Sequence, residues 1–466
     1  MEIRRSPYAE IRHNIMDSKT GKPSESAGLH PLDEAAFLER ADNPREASSD
    51  PTDQVEIKKT DKLNWKSLLG ISKFTDEVDR QESAARPEPR EWTVLCYFNG
   101  NSDLESDMEQ SMKELQSTGS DDKIAFVAQM ARESKGGEAE RLLLKKPKWM
   151  GLKSDNEVTK LPGKTNMADP NTLRDFLSWG MKTYPAKHYA VIMNGHGYGF
   201  AGSMPDSISK DVLLSSELKS AVDSATKETG RKIDIMGFDS CLMANAETAH
   251  AVKDSVNFLV GSEEVLVSGN WGYEEFASKM KEEANGDGLS ISEALKSIIN
   301  SQNNGAFLTT SIINCRQIDG FSEKLSDFSQ KLLNTKTPPQ YIKQSFRQAQ
   351  HYCQPQVLSS ASNGNVSPKP MDQMRDVVSL AMSIITNNNI GDTELKESAL
   401  NMAKFVRDKI IIFEAHRKDT GLTGSTGMSI YAPASEAEKY GDFYDNKVPL
   451  GVSSGWGKVI KKYGVG

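Results

Sequence analysis

The sequence predicts an α/β protein with a mostly parallel central sheet, helices on both faces, and a helix-rich C-terminal part. Three observations point there. Short, nearly continuous apolar runs recur between Trp92 and Ser262, each bounded by turn residues and separated from the next by a stretch of helical spacing. A strand that is apolar throughout must be covered on both faces, which a parallel sheet between helix layers provides. From about residue 280 the helical signal dominates, and only two strand candidates interrupt it.

Residues 1–90 are rich in Ser, Pro, Asp, Glu and Lys. Segments such as REASSDPTDQ cannot bury enough apolar area to offset ordering entropy, so a mostly disordered leader or pro-segment is expected. Within it, Leu63–Phe74 places Trp65, Leu68 and Leu69 on one helical face, as a marginal surface helix or as a segment that docks on the domain behind it. At Trp92 the texture changes. WTVLCYF reads as a strand, NGNSD as a turn cluster, and Leu104 to Leu115 as a helix. Further strands are expected at Ile124–Met130, His188–Asn194, Lys232–Phe238 and Asn257–Ser262, with Arg141–Leu152 as a hairpin turning at KKPK. These elements place a core at 91–280 and a helix-rich region at 281–466. The latter carries expected helices over Met371–Thr386 and Leu395–Glu414, and strands at Thr309–Asn314 and Gly427–Pro433.

Composition narrows the function. The 466 residues hold 57 Lys plus Arg against 65 Asp plus Glu, a net charge of −8, which argues against a nucleic-acid binder built on bulk charge. The four cysteines include no CxxC, so neither a disulfide framework nor a zinc cluster is expected. No apolar run approaches the roughly 18 residues of a membrane span, and no signal-peptide core is visible near Met1. A monomer, cytoplasmic or exported by a leaderless route, is the expectation.

Two strand ends stand out, because ligands of open α/β sheets gather outside the carboxyl ends of strands. In NGHGYG, His196 follows an apolar strand between Gly195 and Gly197, where backbone can approach a substrate closely. In GFDSCLMANAE, Cys241 follows another strand and is expected at the start of a helix running through Ala244 to Val252, whose dipole would lower its thiol pKa. The 45 residues between them span about one crossover, so the two side chains are expected on one rim of neighbouring parallel strands. A cysteine nucleophile needs such a base to take its proton and later protonate a leaving amine. Trp271 and Tyr273 in the GNWGYEE loop follow another strand end, either lining a substrate cleft or forming a plain surface loop. His188 is expected to pack or cap, His250 lies too far along its helix to serve Cys241, and Cys96 and Cys315 read as core. Cys353 has no metal-partner spacing.

At these residues the sequence resembles the clostripain family of cysteine peptidases, within the caspase-like superfamily. The resemblance runs from Trp92 to about Pro433. It rests on WTVLCYFNGNSDLE, on TNMADPNTLRDFLSWGMKTYPAKHYAVIMNGHGYG, on IDIMGFDSCLMANAETAH, on FLVGSEEVLVSGNWGYEEF and, more weakly, on GMSIYAP. It implies a caspase-like fold and a His196/Cys241 dyad without an obligatory third residue. It further implies an oxyanion site at the backbone N–H groups of Gly197 and Cys241, and Asp239 as the acidic determinant that pairs with Arg or Lys before the scissile bond. The implied substrates are proteins or peptides cut after those residues. Two features depart from the family pattern. Met193, Asn194 and Gly195 stand where an aromatic and an acidic residue usually precede the histidine, and the segment before Trp92 has no clear counterpart. The resemblance also implies self-cleavage between the catalytic pair, for which Lys210 in SMPDSISKD is the expected site, and possible dependence on calcium, although no EF-hand loop is present. The rival readings are a catalytically silent binding module of the same fold and a Cys-dependent amidase or acyl transferase.

Overall fold

The computed structural model describes residues 89–147, 156–266, 271–285, 289–302, 308–352, 373–417, 421–433 and 438–464. The expected Leu63–Phe74 helix, the leader and Cys353 lie outside these residues. In chain order the strands are β1 Arg90–Gly100, β2 Ile124–Arg132, β3 Glu138–Leu143, β4 Glu157–Lys164, β5 Ala186–Asn194, β6 Ser203–Asp206, β7 Asp211–Leu213, β8 Ile233–Asp239, β9 Val256–Gly261, β10 Thr309–Asn314, β11 Met374–Asp376, β12 Ile411–His416 and β13 Ser429–Tyr431.

Nine of them form one sheet in the order β12-β10-β9-β8-β5-β1-β2-β3-β4. The centre, β9-β8-β5-β1-β2, is parallel, while β3, β4, β10 and β12 attach antiparallel at its two ends. Burial follows from alternation along each apolar strand. On β1, Trp92, Val94, Cys96 and Phe98 enter one core, with residues of the helices Glu105–Thr118, Tyr273–Ala284 and Ile291–Ser301. Leu95 and Tyr97 enter the other, with Pro170–Thr183, Ser215–Thr229, Ala246–Val252 and Ile318–Asn334. The sheet is thus covered on both faces.

From β1 the chain passes to β2 on one side, then returns to β5 on the other and continues through β8 to β9. The topological switch therefore falls between β1 and β5, where the carboxyl ends of oppositely directed connections leave a crevice. Register aligns these ends. Phe98 lies beside Asn194 and Asn194 beside Asp239, so the loops leaving β1, β5 and β8 emerge at one level.

Several elements differ from expectation. The helix expected over Leu395–Glu414 ends at Phe405, passes through a π-turn over Val406–Ile410 and continues as β12, because the strand-forming residues Ile411 and Phe413 pair antiparallel with Ile313 and Ile312 of β10. The helix expected over Met371–Thr386 begins only at Val377, after β11 pairs with β13. The hairpin expected over Arg141–Leu152 runs outside the described residues after Pro147, and the described partner of β3 is Glu157–Lys164. Lys210 itself lies in the turn of a hairpin formed by β6 and β7. With β10 and β12 in the central sheet, residue 280 marks a change in helix content and not the edge of the sheet.

Candidate active site

His196 leaves β5 two residues after Asn194, and Cys241 leaves β8 two residues after Asp239, its register partner. The two segments touch through backbone. A Cβ on Gly197 would lie 2.1 Å from the Cys241 carbonyl oxygen, so only glycine permits this approach. The backbone N–H of Gly195 also donates to the Asp239 carbonyl at 3.4 Å. Two non-glycine residues in the left-handed region flank the site, Met204 (φ 53°), whose N–H donates to the His196 carbonyl, and Leu242 (φ 63°), next to Cys241, backbone strain of the kind found at functional sites.

The helix after the Cys241 segment corrects one expectation. It begins at Ala246, with the Asn245 side chain capping the Thr248 N–H at 2.7 Å, so Cys241 sits in a turn five residues earlier and receives no dipole from that helix. Its Sγ accepts the Leu266 N–H at 3.2 Å. Burial pushes the thiol up to about 11, the Leu266 N–H opposing and the charges of Glu264 and Asp239 adding to the rise. The Leu266 loop is fixed by Thr309 Oγ1, which accepts from the N–H groups of Glu263 (2.9 Å) and Glu264 (3.1 Å). Neither His196 nor Cys241 is hydrogen-bonded to the other. His196 Nε2 instead meets Asp103 Oδ1 at 2.8 Å, and the ring lies nearly parallel to Tyr198, 5° between planes and 6.3 Å between centroids.

Asp239 Oδ2 accepts from Tyr273 Oη (2.9 Å) and Asn194 Nδ2 (3.0 Å). Burial pushes this carboxyl up to about 7, with the Tyr273 bond opposing and Asp107 and Glu114 adding to the rise. Asn194, which departs from the family pattern in the sequence, thus touches Asp239. Trp271 does not line a cleft. It is 3% exposed and packs over β8, its ring 2.6 Å from where a Gly237 Cβ would stand. Tyr273 is also buried, at 1%, and only its hydroxyl reaches the site. Lys210 is exposed at the tip of the β6–β7 hairpin, where Asp206 Oδ1 accepts the Ser209 N–H at 2.7 Å.

The remaining candidates are structural. His188 stacks on Trp92 and pairs with the buried Asp234 at 3.2 Å. His250 is buried, pushed down to about 4, and faces Ser453 Oγ at 3.3 Å. Cys96 and Cys315 are buried, and desolvation raises both thiols. Among the described residues no group of three or more His, Cys, Asp or Glu side chains is arranged to hold a metal ion, so calcium is assigned no ligand and no step. No described helix is long and apolar enough to cross a membrane.

A model of the clostripain family matches residues 97–463, spanning both strand ends. The chain belongs to the clostripain family. This is a family of cysteine peptidases, and the match includes His196, Asp239 and Cys241. Clostripain from Hathewaya histolytica is 23% identical over 226 residues, which is 41% of this chain and 42% of that protein. The chain is therefore aligned to less than half the length of that relative. Among solved structures, an inactive zymogen C11 protease from Parabacteroides distasonis superposes with a TM-score of 0.56 at 16% identity, covering 79% of this chain and 99% of that one. A secreted C11 cysteine protease from Bacteroides thetaiotaomicron, solved with an irreversible peptide inhibitor, gives 0.54 at 15% identity, with coverage of 79% and 99%. The fold is that of these caspase-like proteases.

Asp103 is the group that sequence reasoning missed. It sits in the quoted NGNSD turn without an assigned role. The signal available was its position, since it leaves β1, the strand beside β5.

Proposed function

We propose that this chain is a cysteine endopeptidase that cuts after Arg or Lys. The observation carrying the reading is the shared register of β5 and β8, which brings His196 and Cys241 to one rim with Gly197 against the Cys241 backbone. His196 takes the thiol proton as Cys241 Sγ attacks the scissile carbonyl carbon. The oxyanion accepts hydrogen bonds from the N–H groups of Gly197 and Cys241. The imidazolium returns the proton to the leaving amine, leaving a thioester. Water, deprotonated by His196, attacks that thioester and releases the acid and the thiol. Asp239, when ionised, pairs with the guanidinium or ammonium of the residue before the cut.

The half-buried thiol, held by the Leu266 N–H while His196 is bonded to Asp103, describes a resting site. Cleavage after the exposed Lys210 is the step that would activate it. The reading is tested by intact-mass analysis of wild type beside Cys241→Ala, with hydrolysis of an arginine-terminated fluorogenic peptide. The expected result is that only the wild type splits between His196 and Cys241 and turns the peptide over. If neither cuts, with or without calcium, the peptidase reading falls and the silent binding module takes its place.

A further inference from the structure

We infer that Asp103 is a positioning residue for His196, holding Nε2 so that Nδ1 is the nitrogen that exchanges protons at Cys241; this rests on the peptidase reading above. The two residues lie 93 apart in sequence, yet their side chains meet at 2.8 Å. They do so at the switch point between β1 and β5, the crevice where an open sheet of this topology places its chemistry.

The loop that carries Asp103 is built to hold a position. Asn99 Oδ1 accepts the Asn101 N–H at 3.3 Å, Ser102 Oγ donates to the Asn99 carbonyl at 3.2 Å, and the Leu104 N–H donates to Ser102 Oγ at 3.3 Å. Asn101 Nδ2 bonds Asp206 Oδ2 at 2.6 Å, and Asn99 Nδ2 bonds the Pro205 carbonyl at 2.7 Å. The loop is thereby braced against β6, the strand that leads into the Lys210 turn. Tyr198 lies nearly parallel to the imidazole, 6.3 Å between centroids.

The chemistry follows from valence. A carboxylate only accepts, so the Nε2 proton points at Asp103 and the neutral ring carries its lone pair on Nδ1. When Nδ1 takes the thiol proton, the imidazolium already faces a fixed anion. No proton passes to Asp103. Its side chain is 59% exposed, so solvent screening keeps the effect below that of a buried partner. It also borders an open acidic cleft with Glu105, Glu109 and Glu133.

The test uses the full chain with Asp103→Ala and Asp103→Asn. Two readouts are taken, steady-state hydrolysis of an arginine-terminated peptide and the pH profile of Cys241 alkylation by iodoacetamide, read by intact mass against Cys241→Ala. Circular dichroism checks the fold. For Asp103→Ala the expectation is a fall in kcat of about tenfold with KM little changed, less than the 10²–10⁴-fold of a whole general acid–base group. Asp103→Asn, whose amide oxygen still accepts from Nε2, loses less. The alkylation midpoint moves to higher pH in Asp103→Ala, and that shift disappears in a His196→Ala background. Unchanged kcat and midpoint would reduce the pair to a surface contact, and a rise in kcat would make Asp103 a brake; either overturns the proposal. Should the wild type hydrolyse no peptide, the peptidase reading fails separately. The alkylation profile still decides whether Asp103 acts through His196 on Cys241.

Discussion

At Asp239 one carboxyl oxygen accepts two hydrogen bonds, and burial nonetheless raises the group to about 7. A protonated carboxyl cannot pair with a guanidinium, so binding a basic residue first requires the proton to leave. For an arginine-terminated peptide, KM therefore falls as pH rises through about 7 and levels above it, with a slope of about tenfold per unit well below that value. Asp239→Asn flattens this limb and removes the preference for Arg over Ala at the cleaved position. Measuring KM against pH with both peptides checks it. A pH-independent KM, with the preference surviving in Asp239→Asn, would take Asp239 out of the pocket.

Among elements, the helix Ala246–Val252 ties the Cys241 turn to the C-terminal part. Glu247 is wholly buried; its Oε1 accepts the Tyr431 N–H at 2.8 Å and the Tyr444 hydroxyl at 2.6 Å, while Oε2 has no partner. Burial pushes this carboxyl up to about 7 from an ordinary 4.5, the bonds from Tyr444 and Tyr431 opposing. The folded state keeps a proton that the unfolded chain has already lost in that interval. Its stabilising contribution is therefore full below about 4.5 and disappears as pH rises through about 7. Thermal unfolding should show Tm declining across this window, and Glu247→Gln, which cannot ionise, should flatten the decline by up to about 3 kcal/mol. A variant with the same pH dependence as wild type would assign that decline to other groups.

For the whole molecule, the Lys210 turn divides the chain without dividing the fold. β5 lies before it and β8 after it, and the two pair over five positions. The core on the helix Ser215–Thr229 side likewise takes Val191 and Met193 from before the turn and Met236 and Phe238 from after it. Cleavage after Lys210 would leave His196 on one chain and Cys241 on the other, held together by the sheet and by burial. The cut protein should elute as one particle in native size exclusion and separate only on denaturation, and Lys210→Ala should remain one chain. Halves that separate natively, or cutting that persists at that position in the variant, would contradict this.

The alternation of apolar strands with helices, and the placing of His196 and Cys241 at the ends of two strands, were legible in the sequence because both are local signals. A strand buried on both faces shows itself in its own composition, and a glycine-flanked histidine after it needs no distant information. Where a pairing partner decided the outcome, the sequence was silent. β12 became a strand because β10 lay beside it, Trp271 was buried because Gly237 left room above β8, and the Cys241 thiol was raised by burial and, from another segment, by the Glu264 carboxylate. Asp103 met His196 across 93 residues for the same reason. Contacts between elements depend on the register and order of the strands, and those are set only when the sheet assembles.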